Sequence, residues 1–419
     1  MTSQEAMDLG RDFNTHFCLV SAQAAANYWP IVMYRPKKVV LFVTARMQQA
    51  GFAQKIAEAV KGLGFAAVEE VFIKEEQENS IKALEEIFYD ALSQCEGTDL
   101  KPVFNLTGGT KVMAFAALRA AAAADVTGFY VNIDDSSCTV FPQCDLSRGT
   151  VVSEVAVKPN LDRYLSAYGY EVIEKSPLVE LSREEEDFVL ELLREGEPMR
   201  EAVSGLNQLV SEADKYKSLR TRGLAREREF LRNHVNFKTR QPDGLQILAC
   251  FDSLLKRHAE NGHLCETNGE LEFPSEEDRF FAGGGWLEQF LGGRLKSVRL
   301  PNGKRLDNAW LNVRIKSKAG MENEADAAFL VGTHLFLFEC KTCVMAKRKE
   351  ANEKIYKLNN LTVGGLNTHL VLVSYRRLDP EARKRAEEKG ITVIEGKDLN
   401  QLVKAVESLI ESKTQSRKS

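Results

Sequence analysis

The 419-residue chain has no apolar run long enough to span a bilayer, which takes about 20 residues; its longer ones, such as residues 327–338, are short and interrupted. It lacks the basic start, apolar core and cleavage site of a secretory leader, so a cytoplasmic setting is expected. An excess of positive charge is missing too: 56 Lys and Arg stand against 60 Asp and Glu, net −4, so any nucleic-acid contact must be local. The 8 cysteines are scattered, and Cys340-Lys341-Thr342-Cys343 has no second Cys-x-x-Cys to complete a zinc site, so reduced thiols are expected. Neither G-x-x-x-x-G-K-[ST] nor G-x-G-x-x-G occurs, which removes the P-loop and dinucleotide fingerprints. What remains is an ordinary globular composition, 44% hydrophobic and 28% charged, with length for two or three domains.

The densest chemical signal is residues 321–342, M-E-N-E-A-D-A-A-F-L-V-G-T-H-L-F-L-F-E-C-K-T. Two alternating runs flank Gly332-Thr333, and a two-residue loop opening on glycine predicts a type II′ hairpin. Counting outward, Val331 faces His334, Asp326 faces Glu339 and Glu324 faces Lys341. With a side-chain period of two, Glu324, Asp326, Glu339 and Lys341 leave one face. Ala325, Ala327, Phe329, Val331, Phe336, Phe338 and Cys340 leave the other, the expected core face. Opposed carboxylates repel by about several tenths of a kcal/mol, so the pairing needs an offset, most simply a divalent cation. Hard oxygen ligands suit Mg²⁺ or Mn²⁺, and Lys341 stands where it can meet charge developing on a phosphate. The solvated side of an amphipathic hairpin would show the same spacing. D-(x)n-E-x-K on adjacent strands, here Asp326, Glu339 and Lys341, resembles the PD-(D/E)xK nuclease signature, with Ala325 where that signature has proline.

The first third reads as repeated β-α-β units. Strands at 16–20, 38–44, 67–73, 102–106 and 128–133 alternate with helices at 23–33, 47–63, 80–93 and 110–124. That order predicts a doubly wound parallel sheet whose ligands bind at the carboxyl ends of the strands. In the turn Asn105-Leu106-Thr107-Gly108-Gly109-Thr110-Lys111, two glycines allow close approach and the helix that follows offers free N–H groups to an anion. A tight strand-to-helix connection would use the same residues. The polar turns Ser21-Ala22-Gln23 and Thr44-Ala45-Arg46-Met47 should lie on the same sheet edge.

L-V-S-x-Q after the first strand, V-V-L-F-V-T-x-x-M at the second and N-L-T-G-G-T-K before an alanine-rich helix together resemble the CRISPR-associated Rossmann-fold (CARF) sensor domain. The resemblance implies a cyclic oligoadenylate, cyclic tetra-adenylate first among them, bound at a homodimer interface. Its implied contacts are Ser21, Gln23, Thr44, Arg46, Met47, Thr107, Gly108, Gly109, Thr110 and Lys111. A two-fold pocket with two copies of Lys111 suits a ring of phosphates.

Gly283-Gly284-Gly285 opens a helix whose Trp286, Leu287, Phe290 and Leu291 form one face, with Glu288 at its margin. G-W-L-E ahead of N-E-x-D and E-C-K is similar to the nuclease domain of CARF effectors, which implies that Glu288 joins Asp326 and Glu339 as a metal ligand. The similarity continues through Tyr356-Lys357-Leu358, Gly364-Gly365 and a strand at 369–374. It implies that Lys341 orients the attacking water or neutralises developing charge, and that Glu324 is an outer ligand or merely structural. Lys357 contacts phosphate or lies on the surface; Lys347-Arg348-Lys349 and Lys354 offer a local basic patch or a solvated helix face.

The expected architecture is α/β throughout: a Rossmann-like CARF domain at 1–150, a mostly helical connector at 151–244, a restriction-endonuclease-like PD-(D/E)xK domain at 245–411 and a disordered tail at 412–419. The connector opens with L-D-R-Y-L at 161–165 and Tyr168-Gly169-Tyr170, similar to linkers in nuclease-bearing relatives. It carries a capping-box spacing at Ser182-Arg183-Glu184-Glu185 and a winged helix is one form it could take. The expected function is a homodimeric, cyclic-oligoadenylate-activated, metal-dependent nuclease cutting DNA, RNA or both in type III CRISPR antiviral defence. One rival is a ligand-responsive DNA-binding regulator docking through the connector. Another is a metal-independent HEPN ribonuclease, for which Arg228 with His234 and Arg257 with His263 have the loose spacing.

Overall fold

A computed structural model describes residues 9–64, 66–134, 137–152, 160–234, 243–342 and 367–414. Cys343, the basic residues Lys347 to Lys357, Gly364-Gly365 and residues 415–419 lie outside them.

Seven strands form the first sheet: β1 (Thr15–Leu19), β2 (Lys38–Thr44), β3 (Ala67–Ile73), β4 (Pro102–Asn105), β5 (Gly128–Asn132), β6 (Ser137–Phe141) and β7 (Thr150–Val152). Their order is β3-β2-β1-β4-β5-β6-β7. The first five are parallel and the last two return antiparallel. Continuous apolar runs suit strands covered on both faces, and alternate residues feed two cores: Cys18, Val39 and Leu41 on one side, Phe17, Val40 and Phe42 on the other. The helix expected at 47–63 divides into Ala45–Gln49 and Phe52–Lys61 because Gly51 adopts φ 69° between them. Since β1 pairs with both β2 and β4, the chain leaves their carboxyl ends in opposite directions and opens a crevice there.

The middle of the chain is less purely helical than expected. β8 (Tyr170–Pro177) leaves the connector and pairs with a strand of the C-terminal sheet. A helix, Arg183–Arg194, follows with the capping box formed between Ser182 and Glu185. Then come helix Glu197–Lys215, β9 (Arg220–Thr221), helices Leu224–Arg232 and Gly244–Glu260, β10 (Cys265–Thr267) and β11 (Glu270–Glu272). The strands pair antiparallel in the order β10-β11-β9, which is winged-helix topology and runs past residue 244.

The C-terminal sheet adds β12 (Ala309–Ser317), β13 (Glu322–Val331), β14 (His334–Lys341), β15 (Thr368–Ser374) and β16 (Thr392–Glu395), in the order β16-β15-β14-β13-β12-β8. One face carries the helices Trp286–Leu295 and Leu402–Thr414, the other Leu161–Ala167 and Pro380–Glu388. Both faces of the central hairpin are therefore core. Ala327, Phe329, Phe336 and Phe338 fill one side, Ala328, Leu330, Leu335 and Leu337 the other, in place of the single buried face expected. The second of these cores is continuous with that of the first sheet through the Leu161–Ala167 helix. The Tyr168 hydroxyl accepts from the Ala25 amide and the Tyr164 hydroxyl donates to the Thr333 carbonyl. The tail expected at 412–419 begins as helix, since Leu402–Thr414 buries Leu409 and Ile410 and closes with side-chain bonds from Ser412 and Thr414.

Candidate active site and candidate messenger edge

Gly332 at φ 57°, followed by Thr333 outside the left-handed region, gives the hairpin turn the sign pattern of type II′. Val331 faces His334 and the ladder runs to Ala327 opposite Phe338. There it stops, short of the Glu324–Lys341 pairing expected from strict counting. The Asp326 carboxylate instead accepts the Cys340 amide at 2.5 Å, supplying the bond that a continuing ladder would have made. On the other side, Asn312 sits at φ 50° between the Leu311–Ala327 and Val313–Ala325 pairs. Alternation breaks at this point: Leu311 and Ala327 join one core, Val313 and Ala325 the opposite one. Local irregularity of this kind re-aims side chains next to active sites.

Around the break lie Asp326, buried, Glu339, 1% exposed, and Lys341, whose ammonium pairs with the Glu339 carboxylate at 2.7 Å. Glu288 reaches them from the first turn of the Trp286–Leu295 helix. Burial first, and then the negative charge of Asp326 with smaller parts from Glu339 and Glu324, pushes the Glu288 carboxyl up to about 8. Burial alone would lower the Lys341 ammonium, but Glu339 and Asp326 outweigh it and hold the group protonated beyond its usual range. Glu324 is exposed at the rim. Among the described residues no three His, Cys, Asp or Glu side chains already converge on a point that would hold an ion. The donor chemistry nevertheless fits a hard divalent cation. Glu288, Asp326 and Glu339 offer carboxylate oxygens, and a cation would offset both the burial and the neighbouring negative charge that lift Glu288.

At the carboxyl edge of the first sheet, the turns after β1, β2 and β4 bring Ser21, Gln23, Thr44, Arg46, Met47 and residues 107–111 to one side. Much of their polarity is committed to the fold. Thr44 and Thr110 cap helices by accepting from the Met47 and Met113 amides, and Thr107 accepts from the Val131 amide at 2.8 Å. A Cβ on Gly108 would lie 2.1 Å from the Leu19 carbonyl oxygen, so this glycine serves the packing of the turn on β1. Arg46, Thr110 and Lys111 are exposed on the edge. Two asparagines outside the expected ligand contacts hold the crevice together: Asn105 donates to the Ala26 carbonyl and the Asn27 side chain, and Asn27 donates to the Leu19 carbonyl. An asparagine ending the apolar run Pro102–Asn105 was the available signal.

The same edge touches the hairpin tip. Just after β5, the Ile133 carbonyl accepts from the Thr333 hydroxyl at 2.5 Å and from the Asn367 amide at 3.0 Å. The Asp134 carbonyl can only accept, so His334 donates to it from Nε2 (2.8 Å) and its Nδ1 accepts from His369 Nε2 (2.9 Å).

Neither rival constellation assembles. Arg228 is engaged by Asp252 and Glu266, Arg257 by Glu191 and Glu195, and His263 by Asp278. In the winged-helix-like unit, Arg220, Arg222 and Arg226 are likewise paired, with Glu272, Glu270 and Glu212.

A doubly wound domain joined to a sheet bearing a carboxylate-lysine corner defines a two-part protein, a ligand-binding module coupled to a phosphodiesterase. The chain belongs to the Card1 family: residues 15–158 match the Card1 CARF domain and residues 275–412 the Card1-like endonuclease domain. No curated protein matches the sequence. Among solved structures, the chain is similar to protein VC1899 from Vibrio cholerae, with a TM-score of 0.76, 18% identity and coverage of 96% of this chain and 99% of that one. It is also similar to Can2 from Sulfobacillus thermosulfidooxidans in complex with cyclic tetra-adenylate, with a TM-score of 0.64, 22% identity and coverage of 96% and 99%. A third, a type III CRISPR defence DNA nuclease activated by cyclic oligoadenylate, matches over 90% of this chain and 48% of its own, with a TM-score of 0.51 and 18% identity. These likenesses extend the shared fold over nearly the whole chain.

Proposed function

We propose that the protein is a cytoplasmic, homodimeric nuclease of type III CRISPR defence that cuts DNA when a cyclic oligoadenylate, most simply cyclic tetra-adenylate, occupies the carboxyl edge of its CARF sheet. The observation that carries the reading is the buried corner of Asp326, Glu339 and Lys341 with Glu288 pressed against it. Glu288, Asp326 and Glu339 would hold Mg²⁺ or Mn²⁺. When bound, such an ion polarises the scissile phosphoryl group and strengthens water as a nucleophile. Lys341, kept protonated by its neighbours, supplies positive charge to the phosphate as negative charge grows in the transition state. The Cys340 amide fixes the Asp326 carboxylate, and Glu324 at the rim adds negative charge without burial.

Support for activation comes from the contact between the two sheets. The candidate messenger turn is bonded to β5 through Thr107 and Val131, and the residues after β5 grip the turn of the catalytic hairpin. A messenger that favours one arrangement of this edge thereby favours one arrangement of the hairpin, provided it binds that state more tightly. The test is cleavage of labelled single-stranded DNA, RNA and supercoiled plasmid, with and without cyclic tetra-adenylate, in Mn²⁺, Mg²⁺ or EDTA, beside Asp326→Asn. Cleavage that needs messenger and metal, and falls about a thousandfold in the variant, is expected. Cleavage that persists in EDTA or in Asp326→Asn overturns the site.

A further inference from the structure

Thr342 follows the candidate catalytic lysine directly and ends the described part of this strand segment. Its side chain is buried and bonded at 2.9 Å to Asn207, which belongs to the Glu197–Lys215 helix of the winged-helix-like unit. With the Asn207 amide oriented to satisfy both ends, its nitrogen donates to the Val203 carbonyl (3.2 Å) and the Gly283 carbonyl (3.1 Å), and its oxygen accepts from the Thr342 hydroxyl (2.9 Å). One side chain thus joins the middle unit, the end of β14 and the glycine run leading into the helix of Glu288.

That run, Phe281–Gly285, kinks the chain between the Glu276–Phe280 and Trp286–Leu295 helices. Gly284 has φ 108°, and a Cβ there would lie 2.2 Å from Thr342 Oγ1; a Cβ on Gly283 would lie 2.5 Å from Val210. The glycines therefore let the turn seat directly on Thr342 and on the middle helix. Glu288 lies four residues beyond Gly284, and Lys341 one residue before Thr342. The Asn207 bonds to Thr342 and Gly283 and the seating of Gly284 on Thr342 therefore join the element that carries Glu288 to the one that carries Lys341.

We propose that Asn207 and Thr342 are positioning residues that hold the Glu288 helix and the Lys341 strand in register for catalysis, and that the winged-helix-like unit serves as a wall of the active site. The inference rests on the nuclease reading above. A single neutral hydrogen bond contributes little to folding stability, whereas a misplacement of about 1 Å in a catalytic group can cost on the order of a hundredfold in rate. Loss of the contact therefore lowers turnover far more than stability.

The experiment uses the full-length protein as wild type, Thr342→Val, Thr342→Ser, Asn207→Leu and Thr342→Val with Asn207→Leu. Turnover and KM are measured on single-stranded DNA with Mn²⁺ and cyclic tetra-adenylate, together with melting temperature and backbone hydrogen exchange. Thr342→Val should lower kcat by about 10- to 100-fold with KM unchanged, and Thr342→Ser should recover to within about threefold of wild type. The double variant should be no slower than Thr342→Val, because one contact is removed twice. Exchange should quicken over residues 281–291 and not in the CARF sheet. A kcat within about twofold of wild type, or a KM that rises in step with the fall in kcat, overturns the proposal. So does a serine variant as slow as the valine one. If wild type cleaves nothing, the nuclease reading fails separately; the exchange data still decide the link, since unchanged protection over 281–291 rejects it and localised loss upholds it.

Discussion

At the CARF sheet edge, Thr44, Thr107 and Thr110 each give a side-chain oxygen to a backbone amide, whereas at the hairpin end of the nuclease sheet three carboxylates and one ammonium crowd a corner largely withdrawn from water. The first region is largely satisfied without its ligand, the Gln23 side-chain nitrogen being buried without a partner among the described residues, and it keeps its shape by packing, as the close fit of Gly108 on Leu19 shows. The second is held away from its electrostatic optimum, with Glu288 raised to about 8 by burial and its carboxylate neighbours and Lys341 offsetting part of their charge. Trimming the sensor edge should therefore cost affinity and little stability. Neutralising the nuclease corner should cost activity and add stability, the usual trade-off at a functional site.

Glu288→Gln tests that contrast most severely. Turnover should fall by about 100- to 1,000-fold. In EDTA the variant should nevertheless melt a few degrees above wild type, about 1 kcal/mol. Added Mn²⁺ should narrow the gap by stabilising wild type more. A variant that melts below wild type in EDTA would show that Glu288 is a structural partner of the corner and would break the comparison.

Acid should destabilise the cores of the two regions, even as protonation of Glu288 below about 8 relieves the nuclease corner. His16 lies among Tyr34 and Phe129 with neither ring nitrogen hydrogen-bonded among the described residues, and burial lowers it to about 3. His258, packed on Phe188 and Phe281, is lowered to about 3 by burial and then by His263. A histidine whose folded value lies below its unfolded 6.5 contributes full stability above 6.5 and loses it as pH falls toward 3, because the unfolded chain takes the proton first. At pH 5 each should cost about 2 kcal/mol. His16→Phe should flatten the melting profile of the N-terminal sheet between pH 7 and 5; a profile as steep as wild type would place the acid sensitivity elsewhere.

Lys111→Ala probes the satisfied region. The side chain is exposed at the start of the Lys111–Ala123 helix, so its loss should leave the melting temperature within about a degree while weakening cyclic tetra-adenylate binding roughly tenfold. Calorimetric titration measures the first effect of the comparison in isolation. Equal affinity in wild type and variant would remove Lys111 from the messenger contacts.

The difference between the regions also decided how far each could be read from sequence. Doubly wound order was legible because apolar β-branched runs such as Lys38–Thr44 alternate with helices ending at polar or glycine turns. The hairpin register was legible because Gly332-Thr333 fixes it. Burial of its second face was not, although Leu335 to Phe338 is apolar at every position, the mark of a strand covered on both sides. β8 escaped notice because Tyr170–Pro177 is an edge strand with mostly exposed or half-exposed side chains and only faint alternation. Asn207 and Thr342 are 135 residues apart, and nothing local in either segment signals that they meet. The break at Asn312 likewise depends on a backbone angle that an asparagine permits without announcing.

The weakest expected effect lies at the contact through which the satisfied region would act on the strained one. Thr333→Val keeps the branched side chain in the hairpin turn but removes the donor to the Ile133 carbonyl. That carbonyl still accepts from Asn367, and His334 still donates to Asp134, so the interface survives. The loss should be about 1 kcal/mol, the worth of one neutral hydrogen bond. If the bond differs between resting and active arrangements, the ratio of cleavage rates with and without messenger should fall about fivefold. Messenger-free cleavage at saturating metal should stay as in wild type, because the carboxylate corner lies at the other end of the strands. A ratio unchanged in Thr333→Val, alongside weakened binding in Lys111→Ala, would mean that the messenger is sensed at the edge but that its free energy reaches the hairpin through the Leu161–Ala167 helix, where Tyr164 holds the Thr333 carbonyl. Tyr164→Phe would then carry the loss that Thr333→Val did not.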